Sequence, residues 1–187
     1  RWFTANASSM RYGIDMAPEL LVLVVDVPAS PEELAWALKN FAGIPRVGAL
    51  YQKVEYDVDS LQGKPKRCDV AGWNLPNILR CGGICADQAY LTTTVAKALG
   101  IPAAYTRGFD ASSGHAWAGV VHTGGKRPFW DVEGRYDSYR GVTGRFGNPQ
   151  TGAQQADAVL PMLVQWGLEP RADRVRASTL RVADERV

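Results

Sequence analysis

The 187-residue sequence predicts an α+β fold, and three observations carry the prediction. Residues 28–43 and 86–99 show helical spacing with recognisable caps and stops. After the second helix the pattern changes period, and "AAYTRGF", "HAWAGVVH" and "RPFWDVEG" are short runs rich in aromatic and β-branched residues. Between them stand "DASSG" and "TGGK", which have the composition of turns. A helix followed by a three-stranded antiparallel meander is therefore the expected core, with additional helices on its N-terminal side.

In chain order, "APELLVLVV" (17–25) reads as a helix or a buried strand, since so short an apolar run has no decisive period. In "PASPEELAWALKNFAG" (28–43), Ser30 caps, Pro31 suits the first helical position and Glu33 completes a capping box. Leu34, Leu38 and Phe41 form its apolar face, and Gly43 and Pro45 stop it. Residues 44–80 are interrupted by Gly, Pro and Asp and read as loop with short irregular pieces. In the helix at 86–99, Ala89, Thr92, Val95, Ala96 and Leu99 face a core; Lys97, Gly100 and Pro102 end it. The stretch 153–168 is expected to form a last helix interrupted at Pro161, and the charged residues from 169 on a terminal helix or linker. The expected organisation is one domain over 1–168, with a helical part at 1–45 and a catalytic core at about 60–140, followed by the tail at 169–187.

Apolar residues make up 46% of the chain and charged residues 21%, the balance of a folded globular domain. A net charge of +2 with no basic stripe gives no reason to expect a nucleic-acid partner. "LLVLVV", the longest apolar run, is far shorter than the roughly 20 residues of a membrane span, so no membrane insertion is expected. The chain opens at Arg1 without a basic-then-apolar leader and reads as a segment of a longer protein, whose other domains would be its neighbours. Three cysteines, Cys68, Cys81 and Cys85, do not make a disulfide framework. Cys81 reads as a bystander thiol or the partner of Cys68. With no paired C-x₂-C spacing and no carboxylate-rich loop, neither a metal site nor any other cofactor is expected.

Cys85 has a specific address. It follows Gly82 and Gly83 at the start of a helix, where unpaired N–H groups and the positive end of the dipole stabilise a thiolate. The glycines would let the backbone approach a bound carbonyl, and the Cys85 N–H could face a developing oxyanion. A cysteine nucleophile needs a base, and the base needs an orienting group. His115 opens the second strand, and Asp131 lies on the next one, with Glu133 and Asp137 as competing acids. Either imidazole nitrogen could face the thiol. His122 has no evident partner and reads as structural or exposed.

The series "GGICADQAYLTTTVAKALGIPAAYTRGF", "GHAWAGV" and "FWDVEG", over residues 80–134, resembles the transglutaminase-like core of the papain-like cysteine superfamily. The shared pattern is Gly-x-Cys-x-Asp/Glu-x-Ala, a helix ending in Gly-Ile-Pro, His-x-Trp, and a Trp-flanked Asp. The resemblance implies Cys85 as nucleophile, His115 as general base and acid, and Asp131 as orienter, in a papain-like α+β fold with the nucleophile's helix packed on an antiparallel sheet. It also implies a second oxyanion donor upstream of the cysteine, for which Trp73 and Asn74 are candidates beside Gly83. Two positions depart from the pattern: Ala104 stands where members carry Arg, with Arg107 near enough to substitute in contacting substrate, and Val132 stands where Pro often follows the Asp. Trp117 reads as a core aromatic or a substrate contact.

The resulting expectation is cysteine-dependent acyl transfer or hydrolysis on a protein, peptide or other amide-bearing substrate through a thioester, with water or an amine as acceptor. Two alternatives stand beside it. One is an enzyme resembling the arylamine N-acetyltransferases, whose Arg-Gly-Gly-x-Cys and Asp-Val-Gly stretches are similar to "RCGGICADQ" and "FWDVEG". The other is a non-catalytic module that grips a peptide or glycan within a larger protein.

Overall fold

Caps and prolines set the boundaries of the N-terminal helices. After the short α1 (Trp2–Asn6), Pro18 starts α2 (Pro18–Val25), and Ser30 and Pro31 start α3 (Pro31–Phe41). The expected capping box forms: the Ser30 hydroxyl accepts from Glu33 N–H at 3.3 Å, and the Glu33 carboxylate accepts from Ser30 N–H at 3.3 Å. The other Glu33 oxygen accepts from Leu75 N–H at 2.9 Å, so this cap also ties α3 to the chain that leads to Cys85. The computed structural model describes residues 1–11, 16–111, 113–122 and 128–168; the expected tail at 169–187 and the "TGGK" turn lie outside them.

Residues 44–80 hold more helix than their broken pattern predicts. They contain α4 (Leu50–Lys53), α5 (Arg67–Val70) and α6 (Leu75–Cys81), with 3₁₀ turns at Val47–Ala49 and Val58–Gln62. The Asn74 side chain caps α6 by accepting from Asn77 N–H at 2.9 Å, and Pro76 occupies its first turn, where no N–H is needed. Next comes α7 (Cys85–Ala98), then β1 (Ala103–Phe109), β2 (Gly114–His122) and β3 (Phe129–Glu133). Two three-residue strands absent from the sequence reading, β4 (Arg145–Gly147) and β5 (Gln154–Ala156), precede α8 (Leu160–Leu168). Pro161 stands at the second position of α8 and starts that helix rather than interrupting it.

The five strands form one antiparallel sheet in the order β3-β2-β1-β4-β5. Helix α7 is the centre of the molecule, packed against β1 and β2 on one side and against α3, α4 and α6 on the others. Eleven of its fourteen residues are buried, so the one apolar face expected from its spacing is a helix enclosed nearly all round. Its threonines tolerate this because Thr92 and Thr93 return their hydroxyl hydrogens to the Gln88 and Ala89 carbonyls, each at 2.8 Å. Leu91, Val95, Ala96 and Ala98 join the main core with Leu50, Ile78 and Val120, while Ala89 packs with Tyr51, Ala116 and Ala118 beneath the start of the helix.

Candidate active site

Gly82 and Gly83 serve a backbone, not a substrate. Gly82 adopts a φ of 82°, and a Cβ there would lie 2.4 Å from the Glu55 carbonyl oxygen. Gly83 pairs in parallel with Tyr56, donating to Glu55 O at 3.0 Å and accepting from Asp57 N–H at 2.9 Å. Its N–H is thereby committed, which corrects its expected part in oxyanion binding. After Ile84, α7 begins at Cys85, and the buried Asp87 carboxylate caps the helix by accepting from Ile84 N–H at 3.0 Å.

His115 enters from β2. Strand β2 pairs Ala116 with Arg107 of β1, and the Cys85 thiol hydrogen-bonds to the His115 ring and to the Ala116 N–H. The other side of the imidazole is fixed by Nε2, which donates to the Gly134 carbonyl at 2.5 Å; a carbonyl only accepts, so Nδ1 is the nitrogen left for the thiol. Tyr136 stacks on the ring at 4.3 Å and Tyr139 packs at 4.9 Å, with the Tyr139 hydroxyl 2.7 Å from the Ser113 hydroxyl in the turn that launches β2. Burial alone would push the Cys85 thiol up; the His115 hydrogen bond, the Ala116 N–H and the imidazolium charge outweigh it and hold the thiol below the usual cysteine value. Burial likewise pulls His115 down, and its bonds with Cys85 and Gly134 carry it above the usual histidine value. Both shifts favour a thiolate–imidazolium pair.

Asp131 does not reach this histidine. It pairs with Val120, five residues along β2 from His115, which at about 3.3 Å per residue is roughly 16 Å. Its carboxylate binds Arg46 at 3.0 Å. The competing acids are engaged elsewhere too: Glu133 bonds the same guanidinium at 2.5 Å, and the exposed Asp137 pairs with Arg140 at 2.9 Å. The Gly134 carbonyl therefore stands where an orienting acid was expected. Its position depends on a glycine, since φ is 81° and a Cβ would fall 2.1 Å from the Tyr51 ring. Tyr51 is fully buried beneath it, with its hydroxyl on Ala116 O at 2.7 Å.

Neither expected oxyanion donor faces the thiol. The Trp73 indole N–H donates to Asp87 at 2.9 Å, and the Asn74 side chain caps α6. Trp117 is a fully buried core residue whose indole donates to Asp157 at 3.3 Å beneath the Arg135 guanidinium, which excludes a contact with substrate. The side chain that does meet Cys85 is Tyr56: its phenol hydrogen-bonds to the Cys85 N–H and to the thiol. It arrives through the pairing with Gly83, across a separation that no periodicity in the sequence reveals.

The remaining cysteines are distinct in kind. All three thiols are free, so Cys68 and Cys81 do not pair. Cys68 is buried, which with the Asp87 charge pushes it up to about 11. Among the described residues no cluster of His, Cys, Asp and Glu is arranged to hold a metal ion, and no helix is long and apolar enough to cross a membrane.

Beside the start of α7 opens a cleft of about 610 Å³, which is lined by Ala86 and Asp87 and not by Cys85 itself. Trp73, packed on Tyr90 at 4.4 Å, forms one wall; Tyr105 and Arg107 form the other. At its far end the Lys97 ammonium, which burial lowers to about 8, donates to the Asp26 carbonyl oxygen. Ala104 and Arg107, three residues apart on β1, both line this cleft.

A solved structure from Cytophaga hutchinsonii, described as that of a "Putative Cysteine Protease", is similar at 20% identity with a TM-score of 0.44. The alignment covers 75% of this chain and 48% of that one, so the chain spans about half its length. No curated protein matches. The family model of the transglutaminase-like superfamily matches residues 38–132, just over half of the 187, and runs from α3 through α7, β1 and β2 into β3. By that match the chain belongs to the transglutaminase-like superfamily.

Proposed function

We propose that this domain is a cysteine-dependent acyl-transfer enzyme that attacks an amide carbonyl with Cys85 and works through a thioester. The observation that carries the reading is the hydrogen bond between Cys85, at the first position of α7, and a His115 ring held from behind by Gly134 O. The thiolate adds to the carbonyl carbon, and the oxygen that gains the electron pair is bound by the Tyr56 hydroxyl and by the Cys85 N–H, which exchanges the phenol oxygen for the substrate's. As the intermediate collapses, the C–N bond breaks, and His115 delivers its Nδ1 proton to the departing amine. His115, now neutral, takes a proton from the incoming water or amine, which attacks the thioester and releases the acyl group while the thiolate leaves. The Gly134 carbonyl does part of an acid's work: it fixes the tautomer and ring plane, without adding a full negative charge.

The test is a screen of peptide amides as acyl donors against the wild type, Cys85→Ala and Tyr56→Phe. Turnover lost in Cys85→Ala and reduced about 10²-fold or more in Tyr56→Phe, the scale of one oxyanion donor, is the expected result. Turnover that survives in Cys85→Ala overturns the reading. Turnover unchanged in Tyr56→Phe removes the tyrosine from it.

A further inference from the structure

The charges that line the cleft beside Cys85 are not equally matched. Lys66 holds Asp87 at 3.0 Å and Asp69 at 3.2 Å. Lys97 is buried against the Asp26 carbonyl, at the end of the cleft away from the thiol. Arg107 has no carboxylate partner among the described residues. Among the described residues its one hydrogen bond runs from Nε to the Tyr105 hydroxyl at 3.2 Å, and the guanidinium rests 5.1 Å from the centre of that same ring. The side chain is thus held by its stem while the terminal nitrogens stay uncommitted, a geometry suited to a bidentate carboxylate.

Position makes the match functional. Arg107 lies directly across the β1–β2 ladder from Ala116, the residue whose N–H meets the Cys85 thiol. Across the cleft stand Trp73 on Tyr90 and Lys66, which Asp87 and Asp69 share, so that wall offers an anion no free cation, and Arg107 is the cation near the thiol that no carboxylate engages. We propose that this cleft binds an acyl donor bearing a carboxylate a few bonds from the reacting carbonyl, and that Arg107 is the specificity-determining residue that holds it. The proposal rests on the reading of Cys85 as the nucleophile.

Two matched thiol reagents test it without a known substrate: N-bromoacetylglycine, which carries a carboxylate, and its neutral N-methylamide. The quantity read is the ratio of their alkylation rates at Cys85, by peptide mass, in the wild type, Arg107→Lys and Arg107→Gln. Arg107 is exposed and outside the core, so these variants keep the fold. The expected ratio is highest in the wild type and falls roughly tenfold in Arg107→Gln, the scale of one charge-assisted hydrogen bond lost. Arg107→Lys is expected to fall between, because it keeps the charge and loses the fork. Equal ratios in the wild type and Arg107→Gln overturn the carboxylate site, and a wild-type ratio in Arg107→Lys overturns the bidentate geometry. A neutral reagent that labels Cys85 no faster than Cys68 and Cys81 overturns the nucleophile reading itself, and the proposal with it.

Discussion

Just beyond one end of the β2–β3 ladder, His115 lies under Tyr136 with its Nε2 on the Gly134 carbonyl and its other nitrogen toward a thiol. At the other end, His122 packs 5.0 Å from Phe129, and its Nδ1 is buried without a hydrogen-bond partner among the described residues; between the two histidines Asp131 lies opposite Val120 and Glu133 opposite Ala118, and both carboxylates bind Arg46. The carboxylates are thus committed to an arginine and not to the histidine that the thiol meets. An imidazole becomes a base through what each of its two nitrogens touches, and strand register decides that, not the nearness of an acid in sequence. The acids form an ion-pair network with a half-exposed arginine, while beside the Gly134 carbonyl the thiol is held down and the imidazole up.

Removing each histidine in turn should break the comparison most visibly. In His115→Ala, Cys85 loses a hydrogen bond and a cation that hold its pKa down, and its alkylation by iodoacetamide near pH 6 should slow by roughly tenfold or more, one pKa unit being a factor of ten in thiolate. His122→Ala should leave the rate–pH curve of Cys85 in place. For the wild type the sign is fixed: a lowered pKa keeps Cys85 reactive as the pH falls, until it passes below that value, whereas Cys68, at about 11, stays protonated throughout. Identical curves in the wild type and His115→Ala would make Cys85 a packed thiol.

A smaller effect is expected from the carbonyl that orients His115. Gly134→Ala forces a side chain into left-handed backbone and into the Tyr51 ring, at a combined cost of about 2–4 kcal/mol in urea unfolding. Its surviving folded fraction should also show a Cys85 curve displaced toward higher pH. Full stability in this variant would show that the turn has another way to seat the histidine. Least of all is expected from Asp131→Asn, which weakens one ion pair to a half-exposed Arg46, worth under about 1 kcal/mol. A Cys85 curve moved by Asp131→Asn as far as by His115→Ala would mean that the acid reaches the histidine after all.

What was legible in the sequence is what local chemistry decides. Cys85 at a helix start and His115 at a strand start each follow from a few neighbouring residues, and the β1–β2–β3 meander follows from strand runs and turns. The orienting group was not legible, because "next strand" does not fix the register: Asp131 is on β3 as expected, but opposite Val120. Tyr56 escaped for a related reason, since its bridge to Gly83 joins two stretches that look irregular when read alone. The strands β4 and β5, at three residues each, are too short to show a period.

Asp87 gives the molecule a shared keystone. One buried carboxylate caps the helix that presents Cys85, anchors the Trp73 indole and neutralises Lys66. The cleft wall and the placement of the sulfur are therefore not separate modules that mutation can adjust one at a time. A change at Lys66 or Trp73 that widened the cleft would also alter the bonds that seat the first turn of α7. The opposite wall, where Arg107 stands on β1 without such ties, can change without disturbing that turn, so one side of this cleft has room to drift and the other is held fast.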